Sequence, residues 1–571
     1  MFRQPTEDDT FELRLPADDD RQRRHIRWVS PGSMHADRVA AVWESGGSLY
    51  DLSRVPGPWA VALWDPASQS HVLLSDPVGV HPLFVATTVS GRLVAGSWLA
   101  ALADRDDVDD RPDPLGILLS ASPRLTSPLG RELTRLAEVR AVPWAHAWFV
   151  DAGGAIRSER FWDPTRIERL DDGLTAPDCA RLLDEAIGVA VADMLPPPGT
   201  RVAAHVSGGL DCTTVAARVH ASLQQRGERV VRGYSWSPDE REVPRFPGDE
   251  RTLLDDVEAA TGIPMWKRYS DESGDWFMHL DPTRYPFNTL SKERFVLPHA
   301  AADGVQVMFS GWGGDELSSF NGRRVVPTLL RRGAFREVVR EGKARQRVVA
   351  VAATRSSHTL RRYARYALLA LPPSVQDWRH PVEAVRDRRE LKRSERRLRA
   401  FSPLAADCFV DRQRRYGGVM SFEVMQRELL LGGHMQDRTS SWYQVGRLHG
   451  IDYRFPLLDV RVVECALSLP WRAFLSEGWD RAAFRVMAAD HVPASIAWNV
   501  SKIEPANFYA PVRHAPERST PEPEITYPDD PGVAQALALL ETLRRSGKPA
   551  HTGVLQVHTN ERLRVTSGGT S

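Results

Sequence analysis

The chain has 571 residues, 42% hydrophobic and 26% charged, ordinary globular usage that excludes a mostly disordered or collagen-like polypeptide. Seventy-four Lys and Arg balance 74 Asp and Glu, so the formal net charge is zero and a global electrostatic grip on DNA or RNA is not expected. The four cysteines, Cys179, Cys212, Cys408 and Cys465, are too few for a disulfide framework and include no C-x-x-C pair.

The first twenty residues, MFRQPTEDDTFELRLPADDD, are acidic and lack an apolar core, so a secretory signal is not expected. Between 26 and 160 the pattern is one of short strands bounded by Gly, Pro, Asp and Ser: Trp59–Trp64, His71–Leu74, Leu83–Thr87, Arg92–Ala95 and Ala145–Val150. Asp163–Gly173 is polar and reads as a linker. Asp178–Met194 has helical periodicity and stops at Pro196-Pro197-Pro198. A strand (Arg201–Val206), a turn (Ser207–Leu210) and a helix (Asp211–Gln225) follow, then a strand at Val230–Trp236, a helix at Glu250–Thr261 closed by Gly262, and a buried strand at Val305–Phe309. Strands alternating with helices predict a parallel, doubly wound sheet. Residues 323–399 are Arg-rich and helical in pattern. The cluster Arg386–Arg399 reads as a solvated helix face, with a docking surface for an acidic partner as the alternative. The most apolar run, Tyr366–Pro373, is far below the ~20 residues of a membrane helix, so a cytoplasmic protein without a membrane span is expected. A last amphipathic helix is predicted at Val533–Arg545.

Only six of the 74 basic residues are Lys, and one of them is Lys502; each merits attention for chemistry that Arg cannot do. The strongest local feature is Val206-Ser207-Gly208-Gly209-Leu210-Asp211-Cys212-Thr213-Thr214, placed after a strand and opening a helix. Two glycines allow a tight turn and a close backbone approach to a ligand, and free N–H groups at the helix start face an anion. Ser207, Thr213 and Thr214 can add hydroxyl donors. No G-x-x-x-x-G-K-[ST] and no G-x-G-x-x-G is present. An acid beside a phosphate loop repels its ligand unless a cation intervenes, so Asp211 points to Mg²⁺. A second glycine-rich turn, Ser310-Gly311-Trp312-Gly313-Gly314-Asp315-Glu316, follows Phe309. Loops at the C-terminal ends of parallel strands face one crevice, so Asp211 and Asp315 are expected to share Mg²⁺ on a polyphosphate.

S-G-G-L-D-C resembles the pyrophosphate loop of the ATP-pyrophosphatase group, and S-G-W-G-G-D-E resembles the second metal loop of the asparagine synthetase family. Gly248-Asp249-Glu250, Arg454-Phe455-Pro456-Leu457-Leu458-Asp459, Asp480-Arg481 with Arg485, and Pro493 with Lys502 fit other segments of that family, and the resemblance covers most of 26–510. Asp76-Pro77-Val78-Gly79-Val80-His81-Pro82-Leu83-Phe84 is similar to the family's glutaminase domain, an N-terminal-nucleophile sandwich. That nucleophile is a cysteine directly after the initiator Met; here the residue is Phe2 and the first cysteine is Cys179. Glu44–Tyr50 keeps little of the glutamine-binding pattern.

The resemblance implies an α/β protein of two parts. Residues 1–162 form a glutaminase-like antiparallel sandwich lacking its nucleophile and kept as a scaffold. Residues 175–571 form a doubly wound ATP-pyrophosphatase synthetase domain carrying the Arg-rich helical insertion 323–399. Without a thiolate no ammonia is made by this route, which turns the resemblance toward members that join a carboxylate and an amine of one molecule. Trp312 stands where β-lactam synthetases carry a Tyr and asparagine synthetases a Glu, and an indole is no base. A primary α-amine, with a pKa near 8, needs less help than an amide nitrogen. The closest resemblance is to lasso-peptide macrolactam cyclases.

In that case the cofactors are ATP and Mg²⁺, held by Asp211 and Asp315. Val206, Ser207, Gly208, Gly209, Leu210, Asp211 and Cys212 cradle pyrophosphate, and Ser310 and Gly311 line the nucleotide pocket. Arg481 contacts phosphate, Lys502 stabilises developing charge, and Glu504 orients Lys502 or the amine. The substrate is a linear core peptide, and a leader peptidase and a leader-recognition protein are implied partners. A small-molecule lactam or amide synthetase of the same fold is the alternative; a degenerate, non-catalytic homologue is opposed by Asp211, Asp315 and Lys502. Asp452 reads as an N-cap or a partner of Arg454, and His434 and His449 as core or surface histidines.

Overall fold

The computed structural model describes residues 3–351, 381–499, 524–545 and 564–567, apart from 19, 123, 242–243, 247–248, 269–275, 278, 286–292, 418–419 and 528. Nine strands build the N-terminal part: β1 (Thr10–Glu12), β2 (His25–Val29), β3 (Ala60–Asp65), β4 (Ser70–Ser75), β5 (Phe84–Thr87), β6 (Leu93–Gly96), β7 (Val139–Ala141), β8 (His146–Val150) and β9 (Ile156–Arg160). They form two antiparallel sheets of order β2-β3-β4-β8-β9 and β1-β6-β5-β7. Ala60, Ala62, Leu73, Val85, Ala95 and Trp148 fill the space between the sheets. Val61, Leu63, Val72 and Leu74 pack on the opposite face with Val39 and Trp43 of a covering helix. Both faces of β3 and β4 are therefore buried, which is why those strands read as continuous apolar runs rather than alternating ones.

The second part is a five-stranded sheet in which every pairing is parallel. Its strands are β10 (Val202–His205), β11 (Gly233–Pro238), β12 (Met265–Arg268), β13 (Val307–Phe309) and β14 (Asp452–Arg454), in the order β12-β11-β10-β13-β14. The chain winds outward from β10 through β12, then returns to the other side of β10 with β13. The switch point lies between β10 and β13, where an α/β sheet opens its ligand crevice. The helix Ala176–Met194 starts on a capping box, with Thr175 and Asp178 capping each other's backbone N–H. It buries Cys179, Leu183, Ile187, Ala190 and Met194 on one face.

The polar connecting stretch Asp163–Gly173 is strapped to the synthetase part: Arg169 donates to Gln426 at 2.7 Å and lies over the Phe422 ring, and the Leu170 N–H donates to the Ser468 carbonyl. Asp452–Arg454 is the fifth strand, too short to show a period in the sequence. Among the described residues, the basic cluster lies on the helix Pro381–Phe401, where Ser394 and Leu398 are buried and Arg388, Arg389, Arg393, Arg396 and Arg397 are exposed. Residues 352–380 of the insertion lie outside the described residues. No helix among the described residues is long and apolar enough to cross a membrane.

Candidate functional site

Because β10 and β13 are neighbours, with Ala204 opposite Phe309, the turns that follow them meet. Gly208 takes φ +62°, and a Cβ there would lie 3.1 Å from Leu253 Cβ and 3.2 Å from the Glu250 carbonyl oxygen. Gly209 caps the helix Leu210–Gln224 without a side-chain cap hydrogen bond, so a helix N-terminus, which favours an anion, opens at the turn. The second turn presses directly on the first. A Cβ at Gly311 would lie 2.4 Å from the Asp211 carbonyl carbon, and one at Gly314 would lie 2.7 Å from Asp211 Cγ. Only glycines allow this approach. Gly311→Ala must push the backbone apart and is expected to cost about 1–3 kcal/mol of stability, read as a lower denaturant midpoint, with weakened ATP binding by calorimetry.

The contact brings Asp211 and Asp315 together, as the motifs predict. Burial and then the Asp315 carboxylate push the Asp211 carboxyl up to about 7, against the pull of Arg481. Asp211 Oδ1 is buried without a hydrogen-bond partner. Two close acids with an unsatisfied buried oxygen fit a hard divalent cation. Among the described residues no three His, Cys, Asp or Glu form a metal cage, and Mg²⁺ asks for only one or two carboxylates when substrate phosphates complete its shell.

Arg481 stands at the two acids. Its guanidinium bonds Asp315, donates to Ser319 Oγ at 3.1 Å and stands 3.7 Å from Asp211. It thus neutralises the two acids, and it reaches a phosphate only from that position. Arg485 is a structural residue, bonded to Asp480 and to the Ala497 carbonyl. Ser310 is buried; its Oγ accepts from the Trp312 N–H at 3.3 Å and its N–H donates to the Arg454 carbonyl. Ser207 Oγ accepts from the Gly209 N–H at 3.3 Å, holding the first turn.

Thr213 and Thr214 are fully buried, and the Thr214 hydroxyl is spent on the Leu210 carbonyl at 2.7 Å. The helix rotates both into the protein, and Thr213 Oγ1 has no hydrogen-bond partner there. Asp452 pairs with Arg454 at 3.1 Å, as read. Lys502 and Glu504, and Gly248 of the third motif, lie outside the described residues.

Beside the acids stands a wall that no motif announces. Trp312 packs edge-on against Trp442 at 5.5 Å, and the Arg438 guanidinium lies 5.3 Å from the Trp312 ring and 5.1 Å from that of Trp442. His434 Nε2 is 3.5 Å from Glu316 Oε1. Trp442, Arg438 and His434 all lie on the helix His434–Leu448, and Glu316 follows Asp315 directly. His434 is therefore a site-wall residue; nothing in the sequence ties it to a loop 118 positions away. His449 is half-buried, edge-on to Trp276. Below the wall, Glu293 accepts from Trp236 Nε1 at 2.7 Å and from the Tyr453 hydroxyl at 3.2 Å.

The same helix is held from behind by the N-terminal sandwich. Arg447 bonds the fully buried Asp9 and donates to the Pro31 carbonyl at 2.9 Å. Gln444 accepts from the Leu99 N–H at 2.7 Å and donates to the Ser97 carbonyl at 2.8 Å. One domain thus fixes a wall of the other's site.

A glutamine amidotransferase domain model matches residues 33–162, and the asparagine synthase model matches residues 182–519, more than half of the chain. No curated protein matches. Among solved structures, one described as the allosteric regulatory enzyme of purine biosynthesis is 13% identical, with a TM-score of 0.14. The match covers 53% of this chain and spans about half, 55%, of that one. With its paired glycine-rich turns, its facing acids and a family match across residues 182–519, the chain belongs to the asparagine synthase family.

Proposed function

We propose that the protein is an ATP-dependent, AMP-forming carbon–nitrogen ligase, and within that class a lasso-peptide cyclase. It would adenylate an Asp or Glu side-chain carboxylate of a leader-processed core peptide and join it to the peptide's own N-terminal amine. The observation that carries the ligase reading is the contact of the two turns, which sets Asp211 and Asp315 at one point of the crevice. The cyclase reading rests on two further features. Residues 1–178 contain no cysteine, and Trp312 offers no acid or phenol beside the acids.

The chain's own groups account for the first half-reaction as follows. The N–H groups that open the helix Leu210–Gln224 bind the leaving pyrophosphate. Mg²⁺ held by Asp211 and Asp315 would supply charge neutralisation on those phosphates. Arg481, already between the acids, orients them and follows the phosphate charge. Trp312 and Trp442 exclude water from the acyl group, so that amine rather than hydroxide attacks. Lys502 would stabilise charge on the phosphate and the tetrahedral oxyanion.

ATP–pyrophosphate exchange separates the readings. Exchange driven by linear peptides bearing one Asp or Glu supports the cyclase. Exchange driven only by small β-amino acids moves the assignment to a β-lactam-synthetase-like enzyme.

A further inference from the structure

An N-terminal amine is mostly protonated at neutral pH, its pKa being about 8, and an ammonium has no lone pair to attack with. Trp312 cannot take that proton. The structure places one imidazole beside it: the His434 ring lies 6.4 Å from the Trp312 ring, edge-on. His434 opens the helix His434–Leu448 after Gly433, which takes φ +84°, so the chain turns sharply and aims the first residue of the helix at the 310–316 loop. Side-chain exposure is 23% for His434 and 18% for Glu316; both are reachable from the crevice rather than sealed in the core. We infer that His434, held by Glu316, is the group that accepts the proton from the attacking amine. This rests on the ligase reading above and supplies the base that Trp312 removes.

The arrangement is that of an oriented base. Glu316 faces Nε2 and fixes that nitrogen as the donor, leaving Nδ1 to accept. Arg323 and Arg438 also lie near the Glu316 carboxyl. Asp437, on the same helix, also feels the imidazole, and Arg131 and Arg135 act on Asp437 in turn. In the step itself, Nδ1 takes one proton from the ammonium. The freed lone pair forms the C–N bond at the acyl carbon. The bond from that carbon to the AMP oxygen breaks, and its electron pair leaves on the phosphate. The second amine proton passes to water. Glu316 acts through His434 and is a positioning residue.

The test compares wild type, His434→Asn and Glu316→Gln on a panel of synthetic linear peptides, each with a free α-amine and one Asp or Glu. For His434→Asn, ATP–pyrophosphate exchange and hydroxamate formation with hydroxylamine, a nucleophile already neutral at pH 7, are expected within about threefold of wild type. Cyclisation at pH 7 is expected to fall about tenfold, because about a tenth of an amine with pKa near 8 is already neutral there, and to recover as pH rises past that pKa. Glu316→Gln should lose a smaller factor with the same displaced pH profile. Retained exchange also shows that each variant is folded. An unchanged cyclisation rate and pH profile in His434→Asn overturns the assignment of the base alone. Exchange in wild type with small carboxylates but with no peptide overturns the cyclase reading and this inference with it.

Discussion

Asp211→Asn is expected to abolish nucleotide activation while leaving the fold more stable, not less. Asp211 carries a charge that the folded chain holds at a disadvantage. Burial and the neighbouring Asp315 raise its carboxyl to about 7, and Oδ1 has no hydrogen-bond partner. The folded state therefore binds a proton that the unfolded state has released between about pH 4 and pH 7. Stability falls as pH rises through that window. An amide in its place removes the penalty, so in metal-free buffer the variant's melting temperature should match or exceed that of wild type at pH 7–8, and the difference should vanish near pH 4. The same substitution removes half of the cation site. ATP–pyrophosphate exchange should drop by about 10²–10³-fold, the equivalent of roughly 3–4 kcal/mol of lost charge stabilisation. A variant that is both less stable and still active would show that Asp211 is a structural acid.

The second large effect is expected far from the acids. Asp9→Ala should destabilise the protein by about 3–5 kcal/mol, because it leaves the buried Arg447 guanidinium without its carboxylate. Asp9 is fully buried and Arg447 nearly so, and Thr6 closes the remaining side of Asp9 through its N–H at 2.8 Å and its hydroxyl at 3.0 Å. Replacing both partners, Asp9→Leu with Arg447→Met, should recover most of that loss, since an apolar pair of similar volume needs no desolvation of charge. Chemical denaturation of the three variants measures this. Hydrogen exchange over residues 434–448 adds a functional reading. If the sandwich serves as a scaffold for the site wall, amide protection of that helix falls in Asp9→Ala before the parallel sheet is affected.

The features legible in the sequence are those with short periods or fixed offsets. The strand–turn–helix around Ser207 and the glycine-rich turn after Phe309 each carry their conformation locally, and the parallel topology then obliges the two to meet. The strands at 60–65, 70–75, 84–87, 93–96 and 146–150 lie within a residue or two of their apolar runs. What is hidden depends on tertiary rotation and on distant partners. Thr213 and Thr214 look like ligand donors in the string, yet the helix turns them inward. The pairing of Arg481 with Asp315 and its nearness to Asp211 are equally absent from the string. His434 reaches Glu316, and Asp9 reaches Arg447, across separations of 118 and 438 residues, and no periodicity records such a meeting.

The central claim is the formation of a bond between a side-chain carboxylate and an amine of one peptide. Mass spectrometry of the purified protein with Mg·ATP and a candidate leaderless core peptide tests it most directly, with Lys502→Ala in parallel. A product lighter by one water is expected, formed together with AMP and absent in the variant. An unchanged peptide mass, with AMP released only when a small β-amino acid is supplied, would contradict it.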